Sequence, residues 1–241
     1  MKENLKLSGS LFFRLIIINV MCFITVCSIN ILATAFFSEE VGYTAIGTVT
    51  DEKGEEKSEF LYRHYYKDGE DTELAVYEAK GLEITKDPLK DISKTGKIVS
   101  ATICQILCFA LLGLFIYNTI WKIGLKDINL VKIKNQNEDK LKGFKVGLFA
   151  IVPALIFVVV LFVARGSDNL FFMAVYKICN YCFYGLNELI CGSELKLSAL
   201  PIWCFAALFA THFIIPLITH LSYIAGYKNL SISQKILFKK N

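Results

Sequence analysis

Charge is what this 241-residue chain most conspicuously lacks: 20% of its residues are Asp, Glu, Lys or Arg, against about 25% in an ordinary soluble domain. The scarcity is local. Leu15 to Phe37, Ile98 to Trp121, Val146 to Ala164 and Leu197 to Tyr227 contain none of these four residue types. With 54% apolar residues and a mean hydropathy of +0.49, the chain is excluded from the disordered, nucleic-acid-binding and disulfide-framework classes, and a water-soluble enzyme is not the default. The landmarks of common chemistry are missing too. There is no Walker A loop, dinucleotide fingerprint, H-E-x-x-H, G-x-S-x-G or kinase signature, and no internal repeat of the kind that builds secondary transporters.

What is present is four stretches of membrane-spanning length, since about 20 apolar residues cross the hydrocarbon core of a bilayer. The expected fold class is membrane all-α, a four-helix transmembrane bundle with a small β-rich extracytoplasmic insertion between helices 1 and 2. Lysine and arginine set its orientation, because they resist translocation. The tail 1–14 is net positive, the link 122–145 carries seven Lys against three acids, and the tail 228–241 carries four Lys and no acid. All three are expected in the cytoplasm. Residues 38–97 are net −6 and residues 165–196 neutral, so both are expected outside. The spans are then 15–37, 98–121, 146–164 and 197–227, in a multi-pass cell-membrane protein with both termini cytoplasmic.

Two other topologies are rejected. Ala33-Thr34-Ala35 near the end of the first span resembles a signal-peptidase site, but the uncharged run before it is too long for a signal peptide. A fifth span over Asn169 to Cys191 puts Lys177 near its centre, at a cost of about 2.5–3.5 kcal/mol, with Asn180, Asn187 and Glu188 adding to it.

In residues 38–97, Gly42 to Thr50, Glu59 to Lys67 and Thr72 to Ala79 are rich in aromatic or β-branched residues and read as short strands. Asp51 to Lys57 and the Asp68-Gly69 pair supply turns. The acids Asp68, Glu70, Asp71 and Glu73 lack EF-hand spacing and read as a solvated turn. Within residues 165–196, the run Asn169 to Cys191 is aromatic and almost uncharged, which suits a short helix or re-entrant turn at headgroup level, capping the bundle from outside.

The candidate site residues are polar groups inside spans, where each must find a partner. His212 and Thr211 lie just before Pro216, which cannot bond the carbonyl of residue 212 and is expected to leave it free. His220 falls about 80° from His212 on a helical wheel, so the two form no ligand pair. Asn19 and Asn30 fall within about 20° of one face of the first helix, and Gln105 in the second offers another amide. The third span, with Pro153 its only other feature, is expected to face lipid. Asp127 and Asn129 read as caps near the lipid surface. Of eight cysteines, Cys179, Cys182 and Cys191 fall in an outer segment, where a disulfide from Cys191 or a C-x-x-C redox pair is the candidate chemistry. No fourth zinc ligand accompanies them.

No catalytic, metal or cofactor residue is assigned, and no cofactor is expected. The expected partners are the bilayer, anionic lipid headgroups at the cytoplasmic lysines, and an envelope protein or a second copy of the chain. The expected function is a non-enzymatic interaction or sensing role with a small outer module. The alternatives are a small-solute or ion transport component around His212 and a thiol-redox membrane enzyme.

Overall fold

Runs of Leu, Ile, Val, Phe and Ala with few breakers grow long helices, and the computed structural model shows four that are long and apolar enough to cross a membrane, alongside one small sheet. The structure describes residues 2–50, 56–79, 83–134, 139–166, 169–192 and 194–230, and these are mostly helical. Helix α1 (Lys2–Phe37) leads into strands β1 (Ser38–Thr50) and β2 (Glu56–Tyr65). Helix α2 (Thr72–Ala79) and strand β3 (Glu83–Ile92) follow. Then come α3 (Lys94–Lys134), α4 (Lys142–Val163), the short α5 (Phe171–Cys179) and α6 (Tyr184–Cys191), and finally α7 (Ile202–Thr211) and α8 (Ile214–Tyr227). The chain divides into two compact units, Ile29–Ser100 and the remainder.

In the unit Ile29–Ser100, β1 is the centre of an antiparallel sheet ordered β2-β1-β3. Thr72–Ala79 is helix rather than the expected strand: its Ala, Leu and Glu favour helix, and Asp71 caps it by accepting the Leu74 N–H at 3.0 Å. The third strand is instead Glu83–Ile92, an edge strand, where Pro88 is tolerated. Asp68-Gly69 joins β2 to α2 through a 3-10 turn, with Gly69 at φ 89°. The expected turn at Asp51–Lys57 falls largely outside the described residues, as does the basic tail beyond Leu230.

Asp71 also accepts hydrogen bonds from Tyr43 and, at 2.7 Å, from Tyr62, so one carboxylate ties α2 to β1 and β2. Tyr77 of α2 stacks on Tyr62 with ring centroids 5.6 Å apart, and Lys86 of β3 lies 4.8 Å over the Tyr43 ring. These contacts join the tyrosines to one another and to α2 within this unit, where Tyr43 and Ala45 are buried.

In the other unit, the basic residues 2–14 and 122–134 continue α1 and α3, because Lys, Leu and Glu extend a helix readily. The fourth apolar stretch is two helices, broken at His212–Phe213. The break puts Pro216 in the first turn of α8, where no N–H is needed. The His212 carbonyl is therefore not free, since it accepts the Ile215 N–H at 3.2 Å. Helix α4 presents one face to the core through Val146, Gly147, Ala150, Ile151, Val158 and Leu161 rather than facing lipid throughout. Gly143 and Gly147 let it approach α8, and a methyl group on either would meet Thr219, Tyr223 or Pro216. Reciprocal glycines join α3 to α8: Gly124 lies against the backbone at Tyr223, and Gly226 against that at Trp121, the small-residue contact that lets helix backbones touch.

Asp127 lies inside α3 and is no cap. It pairs with Lys142 at 2.9 Å and accepts the Tyr223 hydroxyl at 2.9 Å, while Lys142 also reaches Glu3 at 3.1 Å. Lys142 and Asp127 are largely buried, so this network fixes the starts of α1 and α4 to α3 and α8.

Two outcomes are expected. Gly226→Val should force α3 from α8 and lower the thermal midpoint of the detergent-solubilised protein, whereas Gly113→Val, at a position with open space, should leave it unchanged. Burial pushes the Asp71 carboxyl up, but the bonds from Tyr43, Tyr62 and Leu74 outweigh it and hold the acid below its ordinary value. Its stabilisation is then complete above the ordinary carboxylate pKa of about 3.9 and is lost as pH falls through the depressed value. Near-UV circular dichroism of the tyrosines should show that acid loss, and Asp71→Asn should remove its pH dependence while weakening the sheet at neutral pH.

Candidate functional site

The segment between α4 and α7 bends at Asn180–Phe183, and this bend is held by side chains from three helices. Asn19 of α1 donates from Nδ2 to the Cys179 carbonyl at 2.6 Å and accepts the Cys182 N–H on Oδ1 at 3.1 Å. Gln105 of α3 donates from Nε2 to the Cys182 carbonyl at 3.1 Å and accepts the Leu186 N–H on Oε1 at 3.0 Å. The backbone of Cys182 is thus gripped from both sides, and each amide is used in both directions. The interruption between α5 and α6 leaves backbone groups without intrahelical partners, and the two amides replace what the helix lacks. Gly185 brings α6 against the Ala101 carbonyl and Gln105, where no Cβ would fit.

The third contact comes from the break after α7. His212 is 1% exposed, with Nδ1 2.8 Å from the Leu208 carbonyl and Nε2 3.1 Å from Asn180 Oδ1. Asn180 donates its own Nδ2 to the Tyr176 carbonyl at 2.9 Å, which turns Oδ1 toward the imidazole. Both ring nitrogens therefore face acceptors, and a neutral imidazole has one N–H to give. One of the two contacts is therefore without a proton at any time. The rings of Phe183 and Tyr176 enclose the imidazole, with centroids 5.5 and 6.1 Å from that of His212. Beside it, the Tyr176 hydroxyl and Asn187 Oδ1 are buried without a hydrogen-bond partner among the described residues.

Asn19, Asn180, Phe183 and His212 form one wall of a cavity of about 610 Å³. The rest of its lining is carbon: Phe12, Leu15 and Ile16 of α1, Ile151, Ala154 and Phe157 of α4, and Ile215 of α8. Ile16, Val20, Phe23 and Ile178 are lining residues that are also 44–59% exposed, so they form its rim. Pockets of about 300–1,000 Å³, mostly apolar with a few convergent polar groups, are the usual form of small-molecule sites.

Of the residues expected at a site, the structure brings Asn19, His212, Cys179 and Cys182 to this cavity. Gln105 stands behind it, holding the bend. Thr211 turns back to its own helix and bonds the Leu208 carbonyl at 2.7 Å. Asn30 belongs to the other unit, where its carbonyl accepts the Thr34 hydroxyl. His220 lies in α8 beside Phe144, on a different helix from His212, so a single helical wheel does not relate them.

All eight cysteines are free thiols. Cys191 joins Cys204 in a buried cluster with Leu197, Leu208 and Met173, and the Cys204 thiol donates to the Ile190 carbonyl at 3.2 Å. Among the described residues no group of three or more His, Cys, Asp or Glu could hold a metal. The sequence reading missed Asn180, which figured there only as a cost against a fifth span. Its signal is an amide in an aromatic, almost uncharged segment too polar to cross and too apolar to lie in water. Comparison with known proteins finds no matching family model, no similar curated protein and no similar solved structure.

Replacing Asn19 or Gln105 by Leu should each cost on the order of 1 kcal/mol in a reversible unfolding titration in mixed detergent micelles, the scale of interhelical hydrogen bonds. Because both hold the backbone of one residue, the double variant should cost less than the two singles together. Strict additivity would mean that the two amides do not share a load.

Proposed function

We propose that this chain is a multi-pass cell-membrane protein, with both termini cytoplasmic and residues 38–97 outside, that works by binding a lipid-soluble, mostly apolar ligand rather than by catalysis. The observation that carries this reading is the cavity: a volume of about 610 Å³ walled by carbon, with Asn19, Asn180 and His212 along one side. The four long apolar helices and the sorting of lysines to alternate connections support the placement. On it, the exposed rim residues Ile16, Val20, Phe23 and Ile178 face lipid, and a ligand reaches the cavity sideways from the bilayer. Asn19 Nδ2 keeps one N–H beyond its bond to Cys179, which favours a ligand bearing one acceptor oxygen. Binding there bears on α1, and α1 runs on to Phe37 at the foot of the sheet, so a sensing role that engages an envelope partner fits the architecture.

A second reading, a small-solute or proton transport component, is favoured by one specific observation. Broken helices that meet at a polar group are the usual construction of transporter sites, and here the α5–α6 bend meets the α7–α8 break at Asn180 and His212.

A photoactivatable fatty acid incorporated into proteoliposomes tests the first reading. Cross-links should concentrate on Phe12–Phe23 and Ile178–Phe183, and Ala154→Trp, which fills the cavity, should abolish them while the protein remains folded. Labelling spread evenly over all lipid-exposed helix faces, or unchanged in Ala154→Trp, would refute it. Proton flux above that of empty vesicles, lost in His212→Gln, would move the assignment to transport.

A further inference from the structure

Arg14 is the last charge before the uncharged run of α1 begins at Leu15, and its surroundings differ from those of cations such as Lys142 that the helices hold against carboxylates. Lys142 has two carboxylates, Glu3 and Asp127. Arg14 has none among the described residues: its one recorded partner is Thr119 of α3, to whose hydroxyl Nη1 donates at 3.0 Å. A guanidinium carries five N–H donors in a planar fork, so most of its capacity is unspent. An uncompensated charge beside hydrocarbon is costly.

The charge sits at the mouth of a second groove, about 340 Å³, between α1 and α3, lined by Ser10, Phe13, Arg14, Ile17 and Phe115. Phe13 and Ile17 are 68% and 55% exposed. Ser10 adds a hydroxyl with no partner among the described residues. Helical side chains lean toward the N-terminus, so Arg14 reaches along α1 toward its basic end, to the level of Thr119. One turn further along α3 lie Trp121 and Lys122, the residue types that mark the headgroup boundary. Cation and hydroxyls thus lie at the polar edge of the membrane, while Ile17 and Phe115 line the apolar part of the groove.

The geometry points to a specific site here for an anionic phospholipid, its phosphate held by Arg14 with Ser10 and Thr119 and one acyl chain along Phe13, Ile17 and Phe115. The phosphate supplies the missing counter-charge, and Arg's fork matches it with two parallel bonds. A zwitterionic lipid brings its own ammonium and leaves the net charge uncompensated. This site is separate from the cavity at His212 and rests on the membrane placement alone.

The test is native mass spectrometry of the full chain released from vesicles of equal phosphatidylglycerol and phosphatidylcholine, with thermal unfolding read in parallel. The wild type should retain one phosphatidylglycerol in several-fold excess over phosphatidylcholine, and added phosphatidylglycerol should raise its unfolding midpoint. Arg14→Gln should abolish both, and Arg14→Lys should keep a reduced preference. Neutralising Lys126 and Lys132 to Gln should leave the retained lipid in place, which separates this groove from general attraction to basic helix ends. Should Arg14→Gln not fold, Thr119→Val must still reduce the excess. The proposal fails if Arg14→Gln retains the lipid like the wild type, if the two lipids are retained equally, or if soluble glycerol phosphate gives the same midpoint shift.

Discussion

The grip of Asn19 and Gln105 on the backbone of Cys182 is the constraint on which the helical unit depends. Between helices in lipid, packing a leucine against a leucine gains little over packing it against an acyl chain, so apolar surface alone does not decide where the α5–α6 bend goes. Directional hydrogen bonds do. Two amides from α1 and α3 meet one residue of the bend from opposite sides, and His212 meets the next-but-one residue, Asn180, from the α7–α8 break. These contacts hold the bend at one side of the cavity, and His212 and Ile215 bring the α7–α8 break to it.

A second polar fastening works by charge instead. Lys142, Glu3, Asp127 and Tyr223 join the starts of α1 and α4 to α3 and α8. Removing Lys142 or Asp127 strands the other in a largely buried place, which makes this pair costly to break even where its net contribution is small. Between the two fastenings, Gly124, Gly143, Gly147 and Gly226 allow helix backbones to touch.

Much of this was legible in the sequence, for identifiable reasons. Four uncharged runs gave three long helices and one broken pair, α7 and α8, because length and apolarity are local properties. The amides of Asn19 and Gln105 stood out because a polar group in such a run must have a partner. Their partner was not legible, since Cys182 contributes only its backbone, which carries no side-chain signature. Thr72–Ala79 was misread as strand because Val76 and Tyr77 suit a sheet, while the capping bond from Asp71 is visible only once α2 exists. Asp127 and Lys142 looked like loop charges because neither residue's local surroundings reveal the other. Pro216 pointed to a free carbonyl at residue 212, but the helix breaks at His212–Phe213 and that carbonyl finds the Ile215 N–H instead.

The order in which these parts are made imposes a condition on biogenesis. Asn19 and Gln105 leave the ribosome well before residue 182, so on the proposed placement α1 and α3 wait in the bilayer with bare amides. Asn and Gln in that state pair with whatever neighbour offers a carbonyl, including a second nascent copy. Interrupting synthesis just upstream of the bend would thus leave a fragment predisposed to the wrong company, and the finished bend acts as a built-in chaperone for the two helices that preceded it.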